Sequence, residues 1–127
     1  MRGLIGKKIG MTQIFNESGV SVPVTVVEAG PCVVTQVKTL SNDGYDAIQV
    51  GYQDLKEKHS NRPQLGHFKK GKIKPKRFLA EFVPVASYNY EAGQEFGVSL
   101  FRSGEYVTIK GTTKGKGFSG VMKRHGF

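Results

Sequence analysis

The clearest periodic pattern lies near the middle of the chain. From Cys32 to Leu40, β-branched residues recur at alternate positions, which is typical of a strand with one buried face. Asn42-Asp43-Gly44 is a strong hairpin turn signal, and Asp46–Tyr52 then returns with similar alternation. The pattern predicts an antiparallel hairpin over these two segments.

A second hairpin is predicted at the start of the chain. Leu4–Phe15 mixes apolar residues with cations and ends in a strand-like stretch, and Asn16–Gly19 is rich in turn-forming residues. Val20–Glu28 is β-branched and alternating, while Pro23 within it favours an edge strand or a bulge. The two segments are expected to pair.

The later part of the chain carries a third group of strand patterns. Phe78–Val85 alternates and predicts a strand, and residues 86–94 read as a loop. Glu95–Phe101 and Tyr106–Thr112, separated by a four-residue turn signal, predict a further hairpin that leads directly into the end of the chain. The final segment would then begin from a rigid strand.

Residues 55–77 show neither helical nor strand periodicity. A short helical turn around residues 54–59 is the only regular structure expected there. Four residues are expected to interrupt any longer helix, namely Pro63, Gly66, Gly71 and Pro75.

These elements together predict a mainly β fold. About seven short strands with turn signals between them, and no convincing amphipathic helix, favour a small antiparallel β-barrel with long basic loops. A chain of 127 residues is long enough for one core but too short for two. The expected division is a barrel domain over residues 1–110, carrying a basic loop at 56–77, followed by a distinct segment at 111–127.

Positive charge is concentrated outside the predicted strands. The formal net charge is +9, yet the regions with strand patterns are mildly acidic. Residues 56–77 contain nine lysines and arginines against one acid, and residues 110–127 contain five against none. Such a distribution indicates an anionic partner, which could be RNA, DNA or an anionic membrane surface.

The last eighteen residues, 110–127, favour nucleic acid among these partners. Their five cations lie among five glycines, so they cannot be buried, whereas a flexible backbone can follow an irregular line of phosphates. Phe118 and Phe127 could stack on bases or fold back onto the barrel. Lys7 and Lys8 could equally be solvent-facing strand residues or phosphate contacts.

Two phosphate-binding patterns occur without their required contexts. Gly66–Lys72 matches most of a P-loop, but Ile73 replaces the hydroxyl residue that would bind magnesium, and Pro75 disrupts the following helix. Gly115–Gly120 fits a dinucleotide-binding fingerprint, yet only seven residues follow it. Neither pattern supports nucleotide chemistry.

No other grouping predicts an enzyme, a metal site or a cofactor. Cys32 lies within a strand pattern and is expected to be a buried thiol, and as the only cysteine it cannot form an internal disulfide. His59, His67 and His125 lack the spacing of zinc ligands. The absence of a signal peptide pattern or a long apolar run predicts a cytoplasmic location without membrane contact.

Short motifs along nearly the whole chain resemble the bacterial large-subunit ribosomal protein L-three family. Together the motifs are highly specific, although none suffices alone. They are Gly6-Lys-Lys-Ile-Gly-Met-Thr12, Pro23-Val-Thr-Val-Val, Gly30-Pro31, Asp43-Gly-Tyr45 with Ile48-Gln-Val, Gly66-His-Phe68, Gly111-Thr-Thr-Lys-Gly-Lys-Gly-Phe118 and Gly120-Val-Met-Lys-Arg124.

The resemblance implies a β-barrel of the kind shared with translation factors. It also implies binding to large-subunit (23S-type) rRNA, a role in early subunit assembly, and contact with neighbouring large-subunit ribosomal proteins, in the cytoplasm or an equivalent organellar matrix. In similar proteins the segment after Gly111–Phe118 begins a long extension that reaches through RNA towards the peptidyl transferase centre. No small-molecule substrate or cofactor is implied.

The chain departs from the family pattern at its end. Phe127 falls about where the family's extension begins, so a fragment is expected, with an incomplete barrel as one consequence. The candidate rRNA-binding residues are Lys7, Lys8, Arg62, His67, Lys69, Lys70, Lys72, Lys74, Lys76, Arg77, Lys114, Lys116, Phe118, Lys123, Arg124 and His125. The alternative is a β-barrel of the translation machinery that docks on a protein and uses its charge only for general attraction.

Overall fold

The computed structural model describes residues 3–127, which form two antiparallel sheets and three short helices. No helix in this range has both the length and the apolar character needed to cross a membrane. The strands are β1 (Gly6–Phe15), β2 (Ser21–Ala29), β3 (Cys32–Lys38), β4 (Ala47–Asp54), β5 (Lys76–Phe82) and β6 (Glu95–Phe96), and the helices are α1 (Leu40–Asp43), α2 (Arg62–Lys70) and α3 (Val121–His125).

The predicted central hairpin forms the middle of a four-stranded sheet. Its strand order is β5-β4-β3-β6, and Val34 of β3 lies opposite Val50 of β4. The connection is longer than a two-residue turn, because residues 40–43 form one helical turn that ends at Gly44 with a φ of 81°. Glycine suits that left-handed conformation, so the turn signal is confirmed although its geometry differs.

The core lies on one face of this sheet. Cys32, Val34, Ile48, Val50 and Tyr52 form a buried cluster, against which side chains from the chain start and from the loop and short helical turn flanking β6 pack. The Cys32 thiol donates to the Ile5 carbonyl oxygen at 3.5 Å, and burial raises its pKa. The expectation that Cys32 is a buried thiol is confirmed.

The first predicted hairpin is also confirmed, as a separate two-stranded sheet. β1 and β2 pair from Gly6 and Ala29 to Phe15 and Ser21, with a bulge between Lys8 and Gly10. Pro23 lies in a strand with one open edge, where its missing N–H costs no ladder bond. Nearly every side chain of this hairpin is exposed, including large apolar residues.

The mainly β, antiparallel architecture is therefore as predicted, but residues 3–127 do not form a closed barrel. Six strands are present in this range instead of about seven, and neither strand of the first hairpin pairs with the four-stranded sheet. Closure would require continuous strand pairing around the structure.

The expectation of no long helix in residues 55–77 is wrong. The short turn near its start is present at Glu57–His59, but α2 follows with nine residues. Pro63 lies in the first turn, where no intrahelical N–H bond is lost, and the Asn61 N–H donates to Gln64 Oε1 at 3.3 Å. Gly66 lowers helix propensity but does not prevent packing.

The hairpin predicted over residues 95–112 is also wrong. Only Glu95 and Phe96 enter the sheet, by pairing with β3, and Val98–Leu100 then forms a 3-10 turn. The turn at residues 102–105 does form, with Arg102 N–H donating to Glu105 Oε2 at 3.1 Å. Residues 106–112 find no partner strand, so the end of the chain does not begin from a rigid strand.

Candidate nucleic-acid interface

Helix α2 lies on the surface of the sheet and carries part of the basic segment 56–77. Phe68 anchors the helix and is only 4% exposed. His67 Nε2 lies 2.8 Å from Oε1 of Gln49 in β4, and the same oxygen accepts from Thr35 Oγ1 at 2.9 Å. His67 was predicted to bind RNA, but the structure places it half-buried, as the polar link between α2 and the sheet.

The anchored helix leaves its cations facing solvent. Arg62, Lys69 and Lys70 are exposed, and no ion pair within residues 3–127 involves them. Lys69 and Lys70 lie in the last turn, where the helix dipole favours positive charge. These three side chains are therefore available to an external anion.

The segment after α2 turns Lys72 outwards. Ile73 N–H donates to the Phe68 carbonyl oxygen at 3.0 Å, as in a Schellman-type helix end. Lys72 adopts a φ of 55°, a left-handed conformation that side-chain-bearing residues rarely occupy. Both Lys72 and Lys74 are exposed and outside the ion pairs of the described chain.

Lys76 is positioned differently from its basic neighbours. Its Nζ lies 2.6 Å from Asp54 Oδ1, and its side chain is only 12% exposed. The bond from Lys76 lowers the pKa of Asp54, which keeps the carboxylate charged. Lys76, a predicted RNA contact, therefore pins β5 to β4, and a phosphate would have to compete with Asp54 for it.

A second ion pair removes Lys38 from the available cations. Lys38 Nζ lies 2.7 Å from Glu81 Oε1 and donates to Tyr45 Oη at 2.6 Å, while Tyr45 Oη donates to Glu81 Oε2 at 2.7 Å. Because Lys38 and Tyr45 bond the carboxylate, the pKa of Glu81 is lowered, and the bond from Glu81 raises the pKa of Lys38. This network joins β3 and β5 to the loop that precedes β4, at one end of the sheet.

The fold brings a lysine near the start of the chain and the last arginine of the basic segment 56–77 together at an open groove. Lys7 at the start of β1 and Arg77 at the start of β5 both line it. The other lining residues are Ile5, Gly6, Tyr52, Gln53 and Phe78. The sequence placed Phe78 and Tyr52 only in predicted strands and gave no sign that they, or Gln53, line this groove.

The last basic segment, residues 110–127, is almost entirely exposed. Phe118 is fully exposed and Phe127 is 85% exposed, so neither ring folds back onto the sheets. Helix α3 gathers its cations in the last turn and ends at Gly126. One shallow concavity is bordered by Lys116, Phe118, Lys123 and Arg124, whereas Lys114 lies outside it. The His125 ring lies beside the Phe127 ring. Of the other candidate residues, Lys8 is exposed on β1.

Comparisons with known proteins agree with the motifs. A family model described as Ribosomal protein L3 matches residues 78–127. The chain is 53% identical over 126 residues to the large ribosomal subunit protein uL3 of Carboxydothermus hydrogenoformans, a match that covers 99% of this chain. The chain spans 60% of the length of that relative. The resemblance to the ribosomal protein L3 family that the motifs predicted is therefore confirmed along almost the whole chain.

Proposed function

We propose that this protein is a structural constituent of the large ribosomal subunit and binds its rRNA. The observation that carries the proposal is the 53% identity to a large-subunit protein over 99% of the chain. The exposed cations support it, because most of those in residues 56–77 and 110–127 have no carboxylate partner among the described residues.

The mechanism is neutralisation of phosphates by side chains held at fixed positions. Helix α2 presents Arg62, Lys69 and Lys70, the turn after it presents Lys72 and Lys74, and the groove presents Lys7 and Arg77. Each cation that contacts a phosphate releases a condensed counterion, so binding weakens as salt increases. The protein performs no chemistry on the RNA.

The final segment is proposed to act as the start of an RNA-threading arm. Residues 111–127 combine exposed cations with glycines and make few contacts with the sheets, which suits a segment that becomes ordered against RNA. By family resemblance this arm would lead towards the peptidyl transferase centre, and the body over residues 1–110 would support early assembly in the cytoplasm. The closed barrel implied by the same resemblance stays a prediction.

A salt titration tests the RNA-binding proposal. Affinity for a folded fragment of bacterial 23S rRNA should fall as salt rises, with log Kd changing by roughly 0.7 to 0.9 per log unit of salt for each phosphate contact. Fluorescence anisotropy at four or more salt concentrations measures the slope. A flat slope would contradict phosphate neutralisation as the source of affinity.

Charge reversal assigns that affinity to a segment. Lys114→Glu combined with Lys116→Glu should weaken rRNA binding and reduce the salt slope by roughly two phosphate contacts. The control is Glu91→Lys with Glu95→Lys, which changes the net charge on the acidic body by the same magnitude in the opposite direction. Similar magnitudes of change in the two double variants would argue against a special role for the final segment.

The exposed first hairpin favours a second candidate function, contact with a neighbouring large-subunit ribosomal protein. Ile9, Met11, Ile14 and Phe15 are each more than half exposed on β1, and groups of exposed large apolar side chains can mark protein interfaces. This contact predicts binding to a ribosomal protein that persists at high salt and is lost in the Met11→Ser, Ile14→Ser double variant. Binding that is abolished by high salt would argue against it.

A further inference from the structure

The groove beside the start of β1 combines features that the other basic surfaces lack. Lys7 and Arg77 are exposed at its edge, and neither belongs to an ion pair among residues 3–127. No aspartate or glutamate lines it. The groove therefore offers two cations to one anionic group, although Lys7 and Arg77 are 70 positions apart in the sequence.

An aromatic stack forms one wall of this groove. Tyr52 and Phe78 lie directly opposite each other on β4 and β5, with ring centroids 6.5 Å apart and planes inclined by 29°. The Arg77 guanidinium lies 5.3 Å from the Phe78 ring centroid. Phe78 nevertheless remains 46% exposed, so a flat group can still contact this Arg77–Phe78 pair.

Tyr52 adds a buried polar atom without a partner. The residue is 3% exposed, and its hydroxyl makes no hydrogen bond among the described residues. Burial raises the pKa of Tyr52, and the nearby Glu28 carboxylate raises it further, whereas the nearby Gln53 side chain lowers it. Neither neighbour meets hydrogen-bond geometry with the hydroxyl. A protonated hydroxyl left unpaired in this position is costly unless something else bonds it.

The backbone beside this hydroxyl is also unusual. Gln53, between Tyr52 and the end of β4, has a φ of 58°. A residue with a side chain rarely occupies this left-handed region, because its Cβ comes too close to the following carbonyl oxygen. Such local conformations are found preferentially at binding sites, and here the residue lines the groove.

We propose that this groove binds a single unpaired nucleotide of an RNA strand. The base stacks on the Arg77–Phe78 pair, Lys7 and Arg77 neutralise the adjoining phosphates, and the Tyr52 hydroxyl bonds a polar edge of the nucleotide. The inference rests on the proposed RNA-binding function and deepens it, since it states which RNA feature this part of the protein recognises. A free inorganic anion would use the cations but would gain nothing from the aromatic wall.

The first test compares RNA forms and aromatic variants of the full chain. The probe is a fluorescein-labelled single-stranded RNA pentamer, compared with the same pentamer paired within a hairpin stem. Phe78→Leu should weaken binding of the single strand by about five-fold or more, because one stacked base is lost, and should leave duplex binding unchanged. Phe15→Leu, which alters another exposed aromatic on β1, is the matched control.

Salt dependence separates stacking from charge neutralisation. Lys7→Gln or Arg77→Gln should each lower the slope for the single-stranded pentamer by roughly 0.7. Phe78→Leu should weaken binding at every salt concentration without changing the slope. Equal affinity of Phe78→Leu and Phe15→Leu for the pentamer would overturn the nucleotide site. The site would also be overturned if inorganic phosphate displaced the pentamer equally well from the wild type and from Phe78→Leu.

Tyr52→Phe gives an independent readout. Removing a buried, unpaired hydroxyl should raise the Tm of the free protein, whereas loss of its bond to RNA should weaken pentamer binding by about two- to ten-fold. A higher Tm with unchanged affinity would show that the hydroxyl does not contact the nucleotide and would contradict its assigned role.

Crosslinking locates the bound strand and separates this inference from the proposed function. A pentamer containing 4-thiouridine should crosslink within the tryptic peptide from Phe78 to Arg102 or on the peptide that contains Tyr52. Crosslinks confined to α2 or to residues 111–127, with salt-dependent rRNA binding retained, would overturn the groove alone. If the unmodified chain shows no salt-dependent binding to rRNA, the proposed function is overturned as well.

Discussion

At the scale of single residues, local geometry decides which cations are free for a partner. Lys74 and Lys76 are only two positions apart, yet Lys74 is exposed whereas Lys76 is bonded to Asp54. Gly51 makes this possible, because the stem of Lys76 lies where a side chain at position 51 would stand. The missing side chain at position 51 thus leaves room for Lys76 to lie against the sheet and bond Asp54.

Gly51→Ala should destabilise the protein. The added Cβ would lie 2.7 Å from Lys76 Cβ and 2.5 Å from Lys76 Cγ, so the lysine stem must move and its bond to Asp54 weakens. Overpacking of this kind costs about 1 to 3 kcal/mol in the free energy of unfolding. Urea denaturation monitored by circular dichroism provides the measurement.

Gly66→Ala is the matched control for this substitution. Gly66 lies within α2, and an added Cβ there would meet no atom within 4 Å. It should therefore stabilise the protein by roughly 0.5 to 1 kcal/mol through helix propensity. Equal effects from the two alanines would show that the Gly51 contact is unimportant.

These residue roles were largely hidden in the sequence. Lys76 and Asp54 are separated by 22 positions, and their pairing depends on the register of β4 and β5. The same is true of His67, whose partner Gln49 lies 18 positions away. Charge counting could identify the basic segment, but it could not separate anchors from free cations.

At the scale of elements, α2 converts a basic stretch into a positioned surface. Phe68 is buried beneath it, and the His67–Gln49 bond fixes its orientation, so the cations of its last turn face outwards. An unstructured loop with the same composition would have to lose more conformational freedom on binding. The helix therefore contributes preorganisation.

His67→Ala should loosen α2 from the sheet. Loss of its hydrogen bond to Gln49 should lower the free energy of unfolding by about 1 kcal/mol. Urea denaturation checks the global effect, and amide exchange within α2 should accelerate. His59→Ala is the control, because His59 is exposed and its side chain makes no hydrogen bond within residues 3–127; an equal loss there would argue against the anchor.

The strength of local signals explains which elements were predictable. The β3–β4 hairpin combines alternation, β-branched residues and a turn signal, so several tendencies agree. Pro63 and Gly66 were interpreted as helix breakers, although Asn61 and Gln64 mark a helix start. Residues 106–112 have strand composition, but no neighbouring strand is present for them in the described chain.

At the scale of the whole molecule, two ion pairs tie the strands of the main sheet together. Lys38–Glu81 links β3 to β5, and Asp54–Lys76 links β4 to β5. The remaining charge is distributed as the sequence predicted, with an acidic body and basic segments. This broad distribution was predictable because burial forces charge out of the core regardless of detailed topology.

Acidification should therefore destabilise the protein. The pKa of Glu81 is lowered from its usual 4.5 by its bonds from Lys38 and Tyr45, and that of Asp54 from 3.8 by Lys76. The unfolded chain consequently binds protons first as the pH falls, so this stabilisation is complete above the usual pKa values and is lost as the pH falls through the lowered native values.

Urea denaturation between about pH 7 and pH 2 would measure this dependence. Glu81→Gln should lower stability at neutral pH and flatten the decline at acid pH, since one of the responsible carboxylates is gone. Glu91→Gln removes an acid outside both ion pairs and should leave the decline intact. An unchanged pH profile in Glu81→Gln would contradict the role assigned to this pair.

The separate first hairpin has a consequence for how the molecule opens. The hydrogen bonds of this hairpin join only two strands, and almost none of its side chains is buried. In the central sheet, by contrast, Val34 and Val50 are fully buried. Deuterium should therefore replace the amide protons of β1 and β2 by local fraying, well before those of β3 and β4, which exchange only when the larger cooperative unit unfolds.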